Sequence, residues 1–317
     1  MILCFFCLKL YISNQKYDTI ILENMEDTVE KIVLEIKNLT KYYGKILGVK
    51  NLSLCLKEGE IFGFIGPNGA GKSTTIRSIM NLINKTEGSV FINGKIFNKN
   101  DTSLKEIIGY LPSEIHLYED FTVKEMLDYH ESFYKKNIHK RRMELVRRLK
   151  LDESKKIEDL SLGNLKKLGI ILAFMHEPKL YILDEATSGL DPIMQQTFYE
   201  LLKEEKEKGA TIFYSTHILS EVSKICDRVG ILKEGTLLKI ETMEEIRNKN
   251  LTFITIESDE IDKIEKDFPN GLKENKTIRF KNELPPDLLI KKLANYKIDK
   301  ILIEEATLED MFLHYYK

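Results

Sequence analysis

Residues Gly66-Pro67-Asn68-Gly69-Ala70-Gly71-Lys72-Ser73 fill every position of the pattern GxxxxGK(S/T). The apolar run EIFGFIG leads into them, and TTIRSIMNLI follows with Ile76, Ile79, Met80 and Ile83 at helical spacing. Strand, glycine-rich loop and helix in that order call for an α/β layer with the loop at a strand's carboxyl end. The glycines let successive backbone N–H groups converge on phosphate oxygens, and a helix beginning near Lys72 turns its positive end to the same place. Lys72 supplies a point charge for β- and γ-phosphates, Ser73 a hydroxyl for Mg²⁺, and Thr74 completes the set. These residues read as a nucleoside-triphosphate site.

The other half of such a site needs acids. Leu180-Tyr181-Ile182-Leu183-Asp184-Glu185 is an apolar strand ending in two of them, where ligands bind in open α/β sheets. Asp184 is placed to hold Mg²⁺ through water, and Glu185 to orient or deprotonate an attacking water. Read alone, Glu185 is also consistent with an acidic cap for the next helix.

The chain has 317 residues, with 48 Lys and Arg against 50 Asp and Glu, so no strong field directs it to nucleic acid or anionic lipid. At 43% hydrophobic and 31% charged residues it reads as globular, and not as disordered or as a multispanning permease. Cysteines at 4, 7, 55 and 226 are too few and scattered for a disulfide framework and point to a reducing compartment; Cys4 and Cys7 form an incidental CxxC. The opening MILCFFCLKLYI contains Lys9 and falls short of the roughly 18 residues a membrane span requires. It also lacks a basic start and a small-residue cleavage site, so residues 1–24 read as an upstream extension, with Met25 a candidate start.

Three regions are expected. Residues 1–31 stand outside the fold. Residues 32–235 hold the strands VLEIKNL, LSLCL and EIFGFIG and the hairpin SVFINGKIF, turning at Asn93-Gly94. Within them a helical insert over about 115–178 opens at the capping-box spacing Thr122-Val123-Lys124-Glu125 and runs through HKRRMELVRRLK, whose charges read as a solvated helix face. Alternation of strand and helix then resumes, with a helix starting at Asp191-Pro192 and ending at Gly209, and a second buried strand, TIFYST. From 236 to 317 the texture changes to a compact α+β appendage.

In this order the motifs resemble the ATP-binding subunit of an ABC transporter, over residues 33–235. Leu160-Ser161-Leu162-Gly163-Asn164 resembles that family's signature loop LSGGQ, and the resemblance implies that Ser161 and Gly163 contact the γ-phosphate of ATP bound by another subunit. Ser188-Gly189-Leu190-Asp191 resembles the loop that crosses the dimer interface, and His217, after Ser215-Thr216, resembles the switch histidine that acts beside Glu185 and Lys72. Tyr43 matches the aromatic residue on which adenine stacks, with Tyr42 its competitor. The sequence departs from the family at Ser113, where a glutamine is usual, at Leu162 and Asn164 in the signature, and at Ala186 for a proline.

The resemblance implies an α/β fold: a P-loop NTPase core with an antiparallel β subdomain and a helical insert, plus a small C-terminal α+β domain. It implies ATP and Mg²⁺ as cofactors, a second copy or sister ATPase and an integral membrane permease as partners, and no nucleic acid. It places the chain at the cytoplasmic face of the cell membrane, with the permease docked at the groove between the 109–125 loop and the helical insert. IGYLPSEIHLYED, LSLGN and IEEATLEDMFLHYY resemble the bacterial drug and bacteriocin exporter branch, in which ATPase and permease are separate chains. Two further readings stay open on sequence: a soluble ABC-type ATPase acting on ribosomes or DNA, and an ATP-binding regulatory subunit with weak hydrolysis, which Ser113 motivates.

Overall fold

The structure, a computed structural model, describes residues 31–248, 252–282 and 284–305. The expectations on residues 1–24, Cys4, Cys7 and Met25 lie outside the described residues, as does most of IEEATLEDMFLHYY.

Strands β1 (Ile32–Tyr43) and β2 (Ile46–Lys57) pair antiparallel about Gly44, whose φ of 60° suits glycine. VLEIKNL and LSLCL are the middles of these longer strands. β3 (Ile61–Ile65) begins a second sheet and runs into α1 (Lys72–Ile79). β4 (Glu87–Ile92) and β5 (Lys95–Ile96) turn at Asn93 and Gly94, both at positive φ (49° and 73°), as a two-residue hairpin of matching twist requires. The first sheet has the order β2-β1-β4-β5.

The chain continues through α2 (Thr102–Lys105) and β6 (Ile108–Leu111) into the helical insert, α3 (Val123–Glu131), α4 (His139–Leu149) and α5 (Leu162–Phe174). Then β7 (Leu180–Asp184), α6 (Pro192–Glu207), β8 (Thr211–Thr216), α7 (Leu219–Ile225) and β9 (Arg228–Lys233) alternate, followed by β10 (Thr236–Thr242) and α8 (Met243–Asn248). The second sheet has the order β10-β9-β3-β8-β7-β6, parallel except for β10. Ile61, Ile65, Tyr181, Leu183, Ile212 and Tyr214 face a core shared with the helices α3 to α7. Phe62, Phe64, Ile182 and Phe213 face another, shared with α1 and the antiparallel sheet. Burial on both faces is the reason these strands read as unbroken apolar runs.

Local signals set the helix ends. Thr122 and Glu125 form the reciprocal capping box of α3; Asp191 caps α6 with Pro192 in its first turn, and Gly209, at φ 90°, follows its last turn.

Two expectations are corrected. The boundary at 235/236 falls inside a hairpin, because Thr236–Thr242 pairs with β9, and Met243 and Ile246 of α8 are buried in the larger core. The turn between these strands is tied to the glycine loop: Gly235 N–H donates to the Ala70 carbonyl at 2.8 Å and its own carbonyl accepts from Lys50 N–H at 2.8 Å. HKRRMELVRRLK is a solvated face only in part: His139, Lys140, Glu144, Arg147 and Lys150 are exposed, but three arginines are turned inward. Arg142, 2% exposed, pairs with Asp128 and Glu131 on α3 and with Glu153; Arg141 reaches Glu205 on α6 at 2.7 Å, and Arg148 grips both oxygens of Glu204. Carboxylates on α3 and α6 thus meet the guanidinium groups of α4, which makes their burial tolerable.

Beyond α8, the strands β11 (Thr252–Glu257), β12 (Leu272–Glu274), β13 (Thr277–Asn282) and β14 (Lys300–Glu305) form an antiparallel sheet of order β12-β13-β11-β14. With α9 (Ile261–Asp267) and α10 (Pro286–Leu293) the succession is β-α-β-β-α-β, around its own core of Ile254, Ile256, Ile278 and Phe280.

Candidate functional site

The loop from Gly66 to Gly71 crosses from the end of β3 to the start of α1, so its backbone N–H groups and the helix's positive end share one outlook. Two glycines are required sterically. A Cβ on Gly66 would lie 2.5 Å from the Leu232 carbonyl, and one on Gly71, at φ 104°, 2.5 Å from the Gly48 carbonyl. Lys72 is 6% exposed; its ammonium donates to the Gly66 carbonyl at 2.8 Å and lies 3.5 Å from Glu185 Oε1. Asn68, Gly69, Gly71, Lys72, Ser73 and Thr74 form one wall of an open cleft of 570 Å³. Tyr43, Ser113, Glu185, Ser188 and His217 stand around the rest of it. Gly66, Pro67 and Ala70 belong to the loop's scaffold and do not line the cleft.

The acids sit at the end of β7, between β6 and β8. Glu185 adopts φ 51°, a left-handed conformation that costs a non-glycine residue about 1 kcal/mol or more and is characteristic of functional turns. Its N–H donates to the Ser215 carbonyl at 3.0 Å, and its carboxylate accepts from His217 Nδ1 at 2.7 Å. The carboxylate therefore points into the cleft between Lys72 and His217. It does not cap the following helix, since Asp191 does, accepting from Met194 N–H at 2.9 Å.

Asp184 is 2% exposed, and among the described residues its Oδ1 and the neighbouring Ser215 Oγ are buried without a hydrogen-bond partner. A buried carboxylate oxygen left unsatisfied is costly unless something charged completes it. One hard carboxylate near a serine hydroxyl suits Mg²⁺, which keeps most of its waters and takes further oxygens from phosphates. The same acid acts on Tyr110, whose hydroxyl is pushed up to about 12 by burial first and by the Asp184 charge second. Of the two tyrosines, Tyr43 lines the cleft, with the Lys41 ammonium 4.9 Å from its ring centre.

The family model described as ABC transporter matches residues 49–188. The chain is 38% identical over 219 residues to the linearmycin resistance ATP-binding protein LnrL of Bacillus subtilis (strain 168), covering 68% of this chain and 70% of that protein. It is 38% identical over 226 residues to the bacitracin transport ATP-binding protein BcrA of Bacillus licheniformis, covering 70% and 74%. The chain belongs to the ABC transporter ATP-binding proteins. A dimeric structure of a post-hydrolysis state of the ATP-binding cassette MJ0796, bound to ADP and Pi, is similar with a TM-score of 0.60 at 28% identity, over 66% of this chain and 98% of that one. This ABC protein binds ATP and is an ATPase.

Within the ABC cassette, besides the loop scaffold and the buried Asp184, three more of the named residues are not part of the cleft's lining. Ser161 is exposed at the N-cap of α5, accepting from Asn164 N–H at 3.4 Å. Gly163 lies against Gly189, leaving no room for a side chain: a Cβ there would stand 2.7 Å from the Gly189 carbonyl. Asp191 is the cap of α6. Two residues missed on sequence also support the ABC site. Glu221, 3% exposed on α7, accepts hydrogen bonds from Thr187, Tyr199, Tyr214 and Thr216. Lys166, 2% exposed on α5, donates to the Ser113 and Glu185 carbonyls; burial lowers its pKa, opposed by the charges of Asp184 and Glu185. The available signal was a charged residue inside an otherwise apolar helix face.

Proposed function

We propose that two copies of this chain, or one copy and a sister subunit, close on two ATP molecules and reopen after hydrolysis, driving a separate membrane permease that exports its substrate. The observation carrying this reading is that Ser161 and Gly163, an exposed cap and a close-packed glycine at a helix start, lie outside the cleft that holds Lys72, Glu185 and His217. A helix start is an anion site, and a second chain brings it to the γ-phosphate. Asp191, beside Gly189, lies along the same interface.

In each site the loop N–H groups and Lys72 hold the β- and γ-phosphates, and the adenine stacks on Tyr43. Ser73 and Asp184 would hold Mg²⁺, which neutralises charge on the phosphate oxygens when bound. Triphosphate draws Lys72 away from Glu185, leaving that carboxylate to take a proton from the attacking water while His217 keeps it oriented. Cleavage of the bond to the γ-phosphate gives ADP and phosphate, and the contacts across the interface are lost.

Among the described residues no helix is long and apolar enough to cross a membrane, which supports peripheral attachment through a partner. Tyr118, Tyr129 and Phe133, all exposed, cluster with Phe121 just beyond the Ser113 loop, Tyr129 meeting Tyr118, Phe121 and Phe133 edge-on and Tyr118 lying tilted against Phe121, and offer that partner an aromatic surface. LnrL and BcrA, named for linearmycin resistance and bacitracin transport, favour export of a drug-like or peptide substrate.

The test uses Glu185→Gln. With Mg-ATP the variant should lose phosphate release and elute as a dimer, while without nucleotide it stays monomeric. A variant that binds ATP and remains monomeric refutes the homodimeric site, and one that also fails to pair with a co-expressed sister subunit refutes the shared site.

A further inference from the structure

Lys166 lies in the second turn of α5 and is closed off from solvent, yet its ammonium meets two main-chain carbonyls, Ser113 at 2.9 Å and Glu185 at 3.3 Å. Those carbonyls follow the ends of β6 and β7, which are neighbours in the parallel sheet. The lysine therefore closes the gap between two loops that both line the nucleotide cleft. We propose that Lys166 is a positioning residue for hydrolysis, holding the Glu185 peptide and the Ser113 loop in one register so that a shift of that loop is felt at the carboxylate. The proposal rests on the reading that Glu185 activates the water.

Glu185 needs such a tie. Its left-handed φ of 51° is unfavourable for a side chain, and the residue is held at both of its backbone groups: its N–H by the Ser215 carbonyl on β8, its carbonyl by Ser188 N–H at 3.2 Å within the same turn and by Lys166 at 3.3 Å from α5. Without the lysine the carbonyl keeps only the Ser188 N–H of its own turn, that turn loses its tie to the Ser113 loop, and it can shift so that the carboxylate moves away from Lys72 and His217. Ser113 is tied through its backbone, so the tie does not depend on its short side chain. The Ser113 loop continues through the exposed Glu114 to the aromatic surface at Tyr118 and Tyr129, so a partner bound there pulls on the same tie.

The lysine also belongs to the helix that begins at Ser161. One buried side chain thus joins three elements: the loop toward the aromatic surface, the turn bearing this protomer's Glu185, and the helix whose start serves the other protomer's nucleotide. Space-filling alone does not call for an ammonium at this place. A methionine of similar length would fill the volume and avoid burying a charge, an exchange that is often neutral or stabilising. What it would not supply is the pair of hydrogen bonds.

Lys166→Met and Lys166→Gln are compared with the wild type in steady-state ATP hydrolysis, nucleotide binding and thermal melting. Lys166→Met should lower kcat about tenfold or more while KM for ATP stays within about twofold and the melting temperature is not reduced, a loss confined to the transition state. Lys166→Gln, which keeps a donor able to reach one of the two carbonyls, should recover part of that loss. The proposal is overturned if Lys166→Met turns over ATP like the wild type. It is equally overturned if both variants lose kcat, ATP affinity and melting temperature together, as a purely structural lysine would. Turnover by the wild type that Glu185→Gln abolishes checks the underlying reading separately, so a wild-type-like Lys166→Met against that background refutes only the role of the lysine.

Discussion

Replacing Glu221 with alanine removes one carboxyl group and strands four hydroxyls. Thr187 and Thr216 donate to it at 2.5 and 2.6 Å, Tyr214 at 2.7 Å and Tyr199 at 3.1 Å, in a site where Glu221 and Tyr214 are sealed from water. Burial, then the Glu221 charge, pushes the Tyr214 hydroxyl well above its usual pKa, so it remains a donor. A hydrogen bond to a charged group contributes about 1.5–3 kcal/mol, and a buried donor left without an acceptor costs about 1–3 kcal/mol. Four donors share two oxygens, so the terms do not add; about 4 kcal/mol, the upper end for single substitutions, is the expected loss for Glu221→Ala. At about 2–4 °C per kcal/mol, that lowers the melting temperature by about 10 °C. Glu221→Gln keeps one acceptor oxygen and should lose only about 1–2 kcal/mol. Thr187 stands two residues after Glu185, and Thr216 immediately before His217, so the carboxylate clamps together the two turns that carry those groups. In Glu221→Gln, kcat should therefore fall about tenfold in protein that is still folded at the assay temperature. Denaturant titration and phosphate release measure the two effects. Glu221→Ala within about 1 kcal/mol of the wild type, or Glu221→Gln with unchanged kcat, refutes the clamp.

Two further outcomes follow from the geometry. His176 is held down to about 4 by burial first; among the described residues its Nδ1 has no hydrogen-bond partner, while Nε2–H donates to the Ile108 carbonyl at 3.1 Å. The unfolded chain takes up a proton near pH 6.5 that the folded one refuses until about pH 4, so this stability is complete above pH 6.5 and falls by about 1.4 kcal/mol per pH unit below it. His176→Phe should flatten that part of the curve in denaturant titrations at pH 5 and 7, and an unaltered slope refutes the assignment. Tyr43→Ala should weaken ATP binding by about tenfold, measured by calorimetry, while Tyr42→Ala leaves it within about twofold; the reverse order would make Tyr42 the adenine platform.

What could be read from the sequence was what is local. The loop at Gly66–Ser73, the acids ending β7 and the caps at Thr122 and Asp191 depend on residues a few positions apart, and each lies at the element end its pattern required. What escaped depends on chain segments far apart. Composition marks the arginines of α4 as charged, but not that carboxylates on α3 and α6 meet them. The change of texture at Gly235 is a tight turn, and only the fold reveals that this turn is bonded to the loop carrying Ala70. Lys166 and Glu221 are hidden for the same reason, since their partners come from β6, β7, β8 and α6.

The active groups share one mechanical problem. Glu185 and His217 stand just beyond the ends of two buried strands, where the chain must turn and the sheet reaches only the backbone, as in the bond from Glu185 N–H to the Ser215 carbonyl. The apolar cores hold those strands, but dispersion and burial are nondirectional and cannot fix the orientation of a carboxylate past a strand's end. Hydrogen bonds can, and the protein places them behind the cleft: Glu221 gathers Thr187 and Thr216, and Lys166 gathers the carbonyls of Ser113 and Glu185. Both ties start from helices, α7 and α5, that are packed into the same core. On the proposed roles of Glu185 and His217, movement of either helix against the sheet would change their aim, while the phosphate loop has a separate tie through Gly235, whose N–H donates to the Ala70 carbonyl. On that reading, Lys166→Met and Glu221→Gln should both lower kcat while leaving ATP affinity within about twofold, and a matching loss of affinity in either would refute the separation.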